Sequence, residues 1–336
     1  MLHPANSSIT ANIATAIAIP KLASLHETTE TGAAFLDHIL EIFNSNAAPV
    51  NEAMNRLCAG LHSLRSPMPV ETWGDFRKLA AAHPLREIMH QDPFTKRSFT
   101  KPRGYDGDAK LLDFMYREPL MAWHIANATE LGKKINTHTI NFAGAAAIRE
   151  RRAILARYVD EAAAKTEGAK ILSIASGHLR EIKLSEAAKN SRVGKWYAAD
   201  HDAKSVAHVS ESYSFAFLQP LLLPVKDILA QKYRFEPLDL IYTAGLYDYL
   251  PQEVAKKFTQ VVFSMLAPGG TFLFGNFRHD IPDIGFMETF MDLKLVLRSE
   301  NEMADILSAI PAEEVSATKI FTGENGNMLY AQISKK

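Results

Sequence analysis

The apolar positions along the chain change rhythm near residue 167. Before it they recur at helical spacing. Phe35, Leu36, Ile39, Leu40, Ile42 and Phe43 predict a helix over 35–43, and Asn44, Ser45 and Asn46 supply turn residues after it. Pro49 suits the first turn of the next helix, where its missing N–H costs nothing. Met54, Leu57, Leu61 and Leu64 form that helix's apolar stripe. Further helices are predicted over 73–82, 85–89, 109–128 and 143–165. A loop rich in Pro, Gly and Asp is predicted over 91–108.

After Glu167-Gly168, short apolar runs alternate with helical stretches. Strands are predicted over 170–175, 196–199, 221–225, 238–243 and 271–275, the last entered from Pro268-Gly269-Gly270. This is the βαβ alternation of a parallel, doubly wound sheet. Such a sheet takes its ligand at the carboxyl ends of its strands, near the point where strand order reverses. Runs 294–297 and 328–333 predict two more strands, the last an antiparallel partner. The division expected is a flexible tail over 1–30, a helical region over 31–165 and a sheet domain over 166–336.

Composition narrows the class. Of 336 residues, 47% are apolar, which is ample for a core. With 37 basic and 38 acidic side chains the net charge is −1, so nucleic acid is not an expected partner. The single cysteine, Cys58, excludes an intrachain disulfide framework and a multi-cysteine metal site; it is expected to be a buried small hydrophobe. No His/Cys spacing suits a metal either. No run reaches the roughly 18–20 apolar residues of a membrane span. The mildly apolar start lacks a basic region before it, so no secretory signal is expected and the location expected is cytoplasmic. The sequence leaves the oligomeric state open.

Candidate chemistry collects at the predicted strand ends. The first strand runs into Ala175-Ser176-Gly177-His178, a small-residue turn before a helix that exposes backbone N–H groups to a polar ligand. Gly177 would let a ligand approach closely. The second strand ends in Asp200, placed to accept from both hydroxyls of a ribose. Asp202 is the alternative acid, and His178 and His201 flank the same place. Beyond the third strand, Asp227 would receive an adenine amino group while the N–H of Ile228 reaches a ring nitrogen; a helix cap is the competing role of Asp227. The fourth strand ends at Thr243, followed by Ala244-Gly245-Leu246-Tyr247-Asp248-Tyr249.

Three strings carry a resemblance. The segment 171–181 is similar to the first motif of class I S-adenosylmethionine-dependent methyltransferases. Asp239-Leu240-Ile241-Tyr242 is similar to their fourth-strand motif, and 266–274 to their late L-x-P-G-G strand. Ser176-Gly177-His178 departs from the usual G-x-G. In the first half, Asp92-Pro93-Phe94-Thr95-Lys96-Arg97, Lys101-Pro102-Arg103-Gly104-Tyr105-Asp106-Gly107-Asp108-Ala109 and Ala147-Ile148-Arg149-Glu150-Arg151-Arg152 resemble one branch of that family. The branch includes methyltransferases of 3-hydroxypalmitate methyl ester biosynthesis and azetidine-2-carboxylate synthases.

The resemblance implies an α/β, Rossmann-like class I methyltransferase sheet with helices on both faces and an N-terminal helical lid. S-adenosylmethionine is the implied cofactor, held by Ala175, Ser176, Gly177, Asp200, His201, Asp227, Ile228, Thr243 and Arg149. A small-molecule carboxylate or amine of secondary metabolism is the implied acceptor. Methyl transfer needs alignment and exclusion of water, and aromatic faces suit a sulfonium; Tyr105, Tyr116, Tyr247 and Tyr249 are the candidates. Arg103, Arg149 and Arg152 would grip a carboxylate, with Arg151 on another face of the helix. The alternative is cyclisation, in which the cofactor's own amine displaces methylthioadenosine. It calls for acceptors such as Asn141, Ser176 or a tyrosine hydroxyl. A non-catalytic adenosyl-binding protein is the third reading. Tyr105, Asn141 and Tyr247 are the residues expected at the reacting atoms.

Overall fold

Seven strands form one sheet, in the order β3-β2-β1-β4-β5-β7-β6, in a computed structural model that describes residues 25–336 and side chains from 31 onward. The strands are β1 (Lys170–Ile174), β2 (Lys195–Asp200), β3 (Leu218–Leu222), β4 (Leu238–Thr243), β5 (Leu266–Phe277), β6 (Val315–Thr322) and β7 (Met328–Lys335). The first five run parallel, and β7 is antiparallel to both β5 and β6. β1, β2 and β4 are apolar almost throughout because helices cover both faces of the sheet. This is a Rossmann-like, doubly wound α/β sheet with an antiparallel β7, preceded by a helical region. Strand order reverses between β1 and β4, where Ile174 stands beside Thr243. That is the switch point at which a doubly wound sheet takes ligands.

The chain divides into two compact units that interleave in sequence rather than meeting at 165/166. Of the described residues, one contains those up to Phe99 with His124–His138 and Pro282–Asp292. The other contains Thr100–Trp123, Thr139–Ile281 and Leu293–Lys336. Within the helical unit, helices Val50–Arg65 and Val70–Ala82 hold the distant 282–292 segment through Glu288. Its carboxylate accepts from Arg65 Nε at 2.7 Å and Trp73 Nε1 at 2.6 Å, and its carbonyl accepts from Arg77 Nε at 2.8 Å. Cys58 lies in the first of these helices, half-buried; burial and then Asp283 push its thiol pKa up, so it stays protonated.

Most helices stand where the periodicity places them, including Leu85–Met89 and Ala143–Lys165. Four expectations are corrected. The 91–108 loop contains a helix, Pro93–Thr100. Asp92 starts it by accepting from Phe94 N at 2.9 Å and Thr95 N at 3.2 Å, with Pro93 in the first turn. The single helix over 109–128 is broken after Met115, because Arg117 takes φ +56° and Pro119 cannot continue it. The third strand ends at Leu222, since Pro224 starts a helix, Val225–Leu229. Residues 294–297 form no strand. Val296 N donates to Asp248 O at 2.7 Å, and Val296 O accepts from the Asn276 side chain at 2.8 Å, so no ladder forms. β6 escaped the apolar pattern because it is an edge strand, largely exposed. Helix Leu25–Ser45 covers the last residues of the expected 1–30 tail; residues 1–24 lie outside the described residues.

Candidate functional site

The turn after β1 takes an alternating left-handed course. Ala175 (φ +54°), Gly177 (φ +54°) and Leu179 (φ +49°) share that conformation. Two of the three are not glycine, and each such residue carries a cost of roughly 1–2 kcal/mol. Strain of this kind persists where surrounding structure imposes it, and it clusters at ligand sites. Backbone N–H groups in such a course make a concave anion-binding surface. One glycine and two residues with side chains thus share the left-handed conformation here. Sequence reading misses this, because Ala and Leu give no signal for positive φ. Ala175→Gly should relieve the cost and add glycine's chain entropy, for a net gain of roughly 1 kcal/mol or less. A rise in the urea midpoint checks it; a fall would show that the Ala175 methyl is needed for packing.

Asp200 is tied to this turn. Its Oδ2 accepts from Gly177 N at 2.8 Å and its Oδ1 from Asp202 N at 2.8 Å. The residue is 5% exposed. A carboxylate has about four acceptor sites, so two remain. Asp202, the alternative acid, has fewer to spare. Its Oδ2 accepts from Arg103 Nη1 at 2.5 Å, Tyr105 OH at 2.9 Å and Ser205 Oγ at 3.0 Å, and its Oδ1 caps the next helix through Lys204 N. Desolvation opposes ionisation of Asp202, but the Lys204 amide, Tyr105 and Arg103 outweigh it and hold its pKa below the ordinary carboxylate value. Of the two acids, Asp200 is the one with acceptor capacity left.

The loop 101–109 lies across three strand ends. Arg103 and Tyr105 bind Asp202 beyond β2, and the Tyr105 ring stands edge-on to His201 with centroids 4.6 Å apart. A Cβ on Gly107 would collide with the Tyr249 hydroxyl beyond β4. A Cβ on Gly177, beyond β1, would come within 3.2 Å of the Ala109 methyl. Asp108 closes the loop by capping helix Ala109–Met115, accepting from Lys110 N at 2.9 Å and Leu111 N at 3.1 Å. Burial and the nearby Asp202 raise the Tyr105 phenol pKa, so it stays protonated and acts as a donor.

Not every expected residue joins this place. Tyr247 is fully buried in the sheet core, its hydroxyl paired with Thr259 Oγ1 at 2.6 Å and its ring stacked on Phe274 at 3.9 Å. It is a packing residue, and the expectation that it meets reacting atoms is corrected. Asn141 is exposed and accepts from Arg117 Nη2 at 2.5 Å. Ile228 is a core residue whose N–H turns back to Pro224 O at 3.3 Å within its helix, which removes the expected adenine contact. Asp227 pairs with Lys232 Nζ at 2.8 Å. Arg149 Nη1 is held by two carbonyls, Met115 O at 3.0 Å and Ile140 O at 2.8 Å, so it clamps backbone. Arg152 lies over the Tyr116 ring at 4.8 Å and faces Glu118.

Ser176 is buried, with its N–H donated to Ala199 O at 3.0 Å. Thr243, at the end of β4, has a buried hydroxyl with no partner. His178 faces inward: its Nδ1 meets Asp113 Oδ2 at 2.8 Å, and Asp113 also takes two bonds from Arg180. Sequence reading missed Asp113, which lies far from the β1 turn in the chain. Among the described residues no group of three His, Cys, Asp or Glu could hold a metal ion, and no helix is long and apolar enough to cross a membrane.

No family model matches the chain, and no curated protein matches it. Solved structures do. A possible exported protein from Bordetella parapertussis is 12% identical, with a TM-score of 0.55 over 87% of this chain and 98% of its own. At that identity the likeness is one of fold alone. The N-methyltransferase NodS from Bradyrhizobium japonicum WM9, solved with S-adenosyl-L-homocysteine, is fainter. It is 17% identical, with a TM-score of 0.38 over 56% of this chain and 87% of its own.

Proposed function

We propose that this chain is an S-adenosylmethionine-dependent methyltransferase acting on a small molecule with a carboxylate or amine acceptor, of the kind found in secondary metabolism. The observation that carries the reading is the 2.8 Å bond from Gly177 N to Asp200 Oδ2. It joins the left-handed turn after β1 to the acid that ends β2, the two features a nucleoside needs at a switch point. The residues fit the cofactor in two further respects. Asp200 keeps acceptor capacity for ribose hydroxyls, and the orphaned Thr243 hydroxyl at the end of β4 wants a polar partner.

When bound, the cofactor supplies a methyl carbon activated by a sulfonium. The work left to the protein is positional. Asp200 would orient the ribose. Tyr105 and Tyr249 would present aromatic surface to positive charge, an attraction worth on the order of 0.5–2 kcal/mol. The 101–109 loop would keep water away from the strand ends. An acceptor carboxylate needs no base; an amine must lose its proton, and no residue is assigned that role. Cyclisation of the cofactor ranks second. Two of the acceptors it calls on, Asn141 and the Tyr247 hydroxyl, are already engaged.

Incubation with S-adenosylmethionine, alone and with a metabolite extract, separates the readings by mass spectrometry of the nucleoside products. Methyl transfer predicts S-adenosylhomocysteine only when extract is added. Enzyme-dependent methylthioadenosine with a new amino acid of the azetidine mass, from the cofactor alone, would replace methyl transfer by cyclisation.

A further inference from the structure

Helix Ala143–Lys165 carries Arg151 into the interior of the sheet unit, where it is 1% exposed. Arginines are seldom buried so completely unless paired. Yet Arg151 Nε has no hydrogen-bond partner. Replacing buried charge by apolar side chains is often neutral or stabilising, so stability alone does not account for a guanidinium here. An unsatisfied buried donor asks for a role.

Its surroundings are shaped for it. Gly245, just beyond β4, takes φ +103°, and a Cβ there would stand 2.7 Å from Arg151 Nη1. The turn after β4 thus leaves room for the guanidinium that no other residue would leave. The Tyr116 hydroxyl lies against the guanidinium. Tyr330, paired with Gly275 in the β5–β7 ladder, is fully buried within the electrostatic reach of Arg151, and its hydroxyl also has no partner. Asp248 and Glu181 are the neighbouring acids, but each is engaged elsewhere: Asp248 Oδ1 accepts from Phe277 N at 2.8 Å and Glu181 Oε1 from Tyr242 OH at 2.6 Å. Arg151 Nε and the Tyr330 hydroxyl are therefore two buried donors near the carboxyl end of β4 that no protein group accepts from.

We propose that Arg151 and Tyr330 hold the carboxylate of a bound ligand at the carboxyl end of β4. The fork of a guanidinium matches a carboxylate in the plane, and the tyrosine hydroxyl adds a further donor. The proposal rests on reading these strand ends as the ligand site. Two ligands of that site would bring a carboxylate: the amino-acid end of the cofactor, and an acidic acceptor.

Calorimetric titration of the full chain distinguishes them with four probes. S-adenosylhomocysteine is compared with S-adenosyl-3-thiopropylamine, which lacks only the carboxylate, and hexanoate with hexanamide. The wild type should prefer the carboxylate member of one pair by at least tenfold, and Arg151→Met should abolish that preference. A preference in the nucleoside pair assigns the cofactor's carboxylate; a preference in the hexanoate pair assigns the acceptor's. Tyr330→Phe should lose part of the preference, and it serves as the second variant if Arg151→Met fails to fold. The melting temperature of Arg151→Met should hold or rise, where a structural arginine would make it fall. Carboxylate preferences absent from the wild type, or unchanged in both variants, overturn the proposal. Nucleosides bound without a carboxylate preference would sink this inference and leave the proposed function standing. A hexanoate preference without nucleoside binding would do the reverse.

Discussion

Asp200→Ala should weaken S-adenosylhomocysteine binding about 100-fold or more. Hydrogen bonds to a charged group contribute roughly 1.5–3 kcal/mol each, and two ribose hydroxyls would be lost together. Each 1.4 kcal/mol is tenfold in affinity. The variant should also be less stable, by about 1–3 kcal/mol, because the amides of Gly177 and Asp202 lose their acceptors. Asp200→Asn separates the two effects. Its single carbonyl oxygen can serve one amide, so the stability loss shrinks while most of the affinity loss stays. Calorimetry gives the first quantity and urea denaturation the second. Wild-type affinity in a folded Asp200→Ala protein would place the nucleoside elsewhere.

The parts of this site that the sequence displays are those carried by chain-local patterns. β1 and β2 are short apolar runs with a small-residue turn and an acid at their ends, so Gly177 and Asp200 were both visible. The contact between them follows from parallel neighbours in the sheet. What stayed hidden depends on direction. Tyr247 follows β4 in a string of small and aromatic residues, but its ring turns into the core against Phe274. Arg149, Arg151 and Arg152 are neighbours on one helix, yet the first clamps carbonyls, the last faces Glu118, and only Arg151 is fully enclosed. Polar residues carry no sign of which face they occupy when a helix is enclosed on several sides. Asp92-Pro93 was a readable helix start, but the glycines and prolines after it gave the weightier loop signal.

Asp113→Ala should destabilise the chain by about 3–5 kcal/mol, the usual cost of removing one partner of a buried ion pair. Asp113 is fully buried. It accepts from Arg180 Nε at 2.7 Å, Arg180 Nη2 at 2.8 Å and His178 Nδ1 at 2.8 Å. Removing it leaves a guanidinium at 5% exposure whose nearest other carboxylate, Glu118, is 3.7 Å away. The Asp113→Ala urea midpoint should fall with the slope unchanged; a loss under about 1 kcal/mol would mean that Glu118 takes over the pairing.

The same cluster sets the acid limb of stability. Burial would raise the Asp113 pKa, but Arg180 and His178 outweigh it and hold the carboxyl below its ordinary value. Its contribution is therefore complete above the unfolded-state value and is lost as pH falls through the depressed folded value. His208, whose ring lies 3.9 Å from that of His178, acts sooner. Burial, then His178 and Arg180, lower its pKa to about 4. Between pH 6.5 and 4 the unfolded chain binds a proton that the folded chain refuses, so stability falls on acidification through that window. His208→Gln should reduce the slope between pH 6.5 and 4, leaving the share of His90 and His138, whose pKa values burial also lowers, and the loss below that window. A stability profile in which that window is already flat for the wild type would show that His208 takes up its proton without opposition from its neighbours.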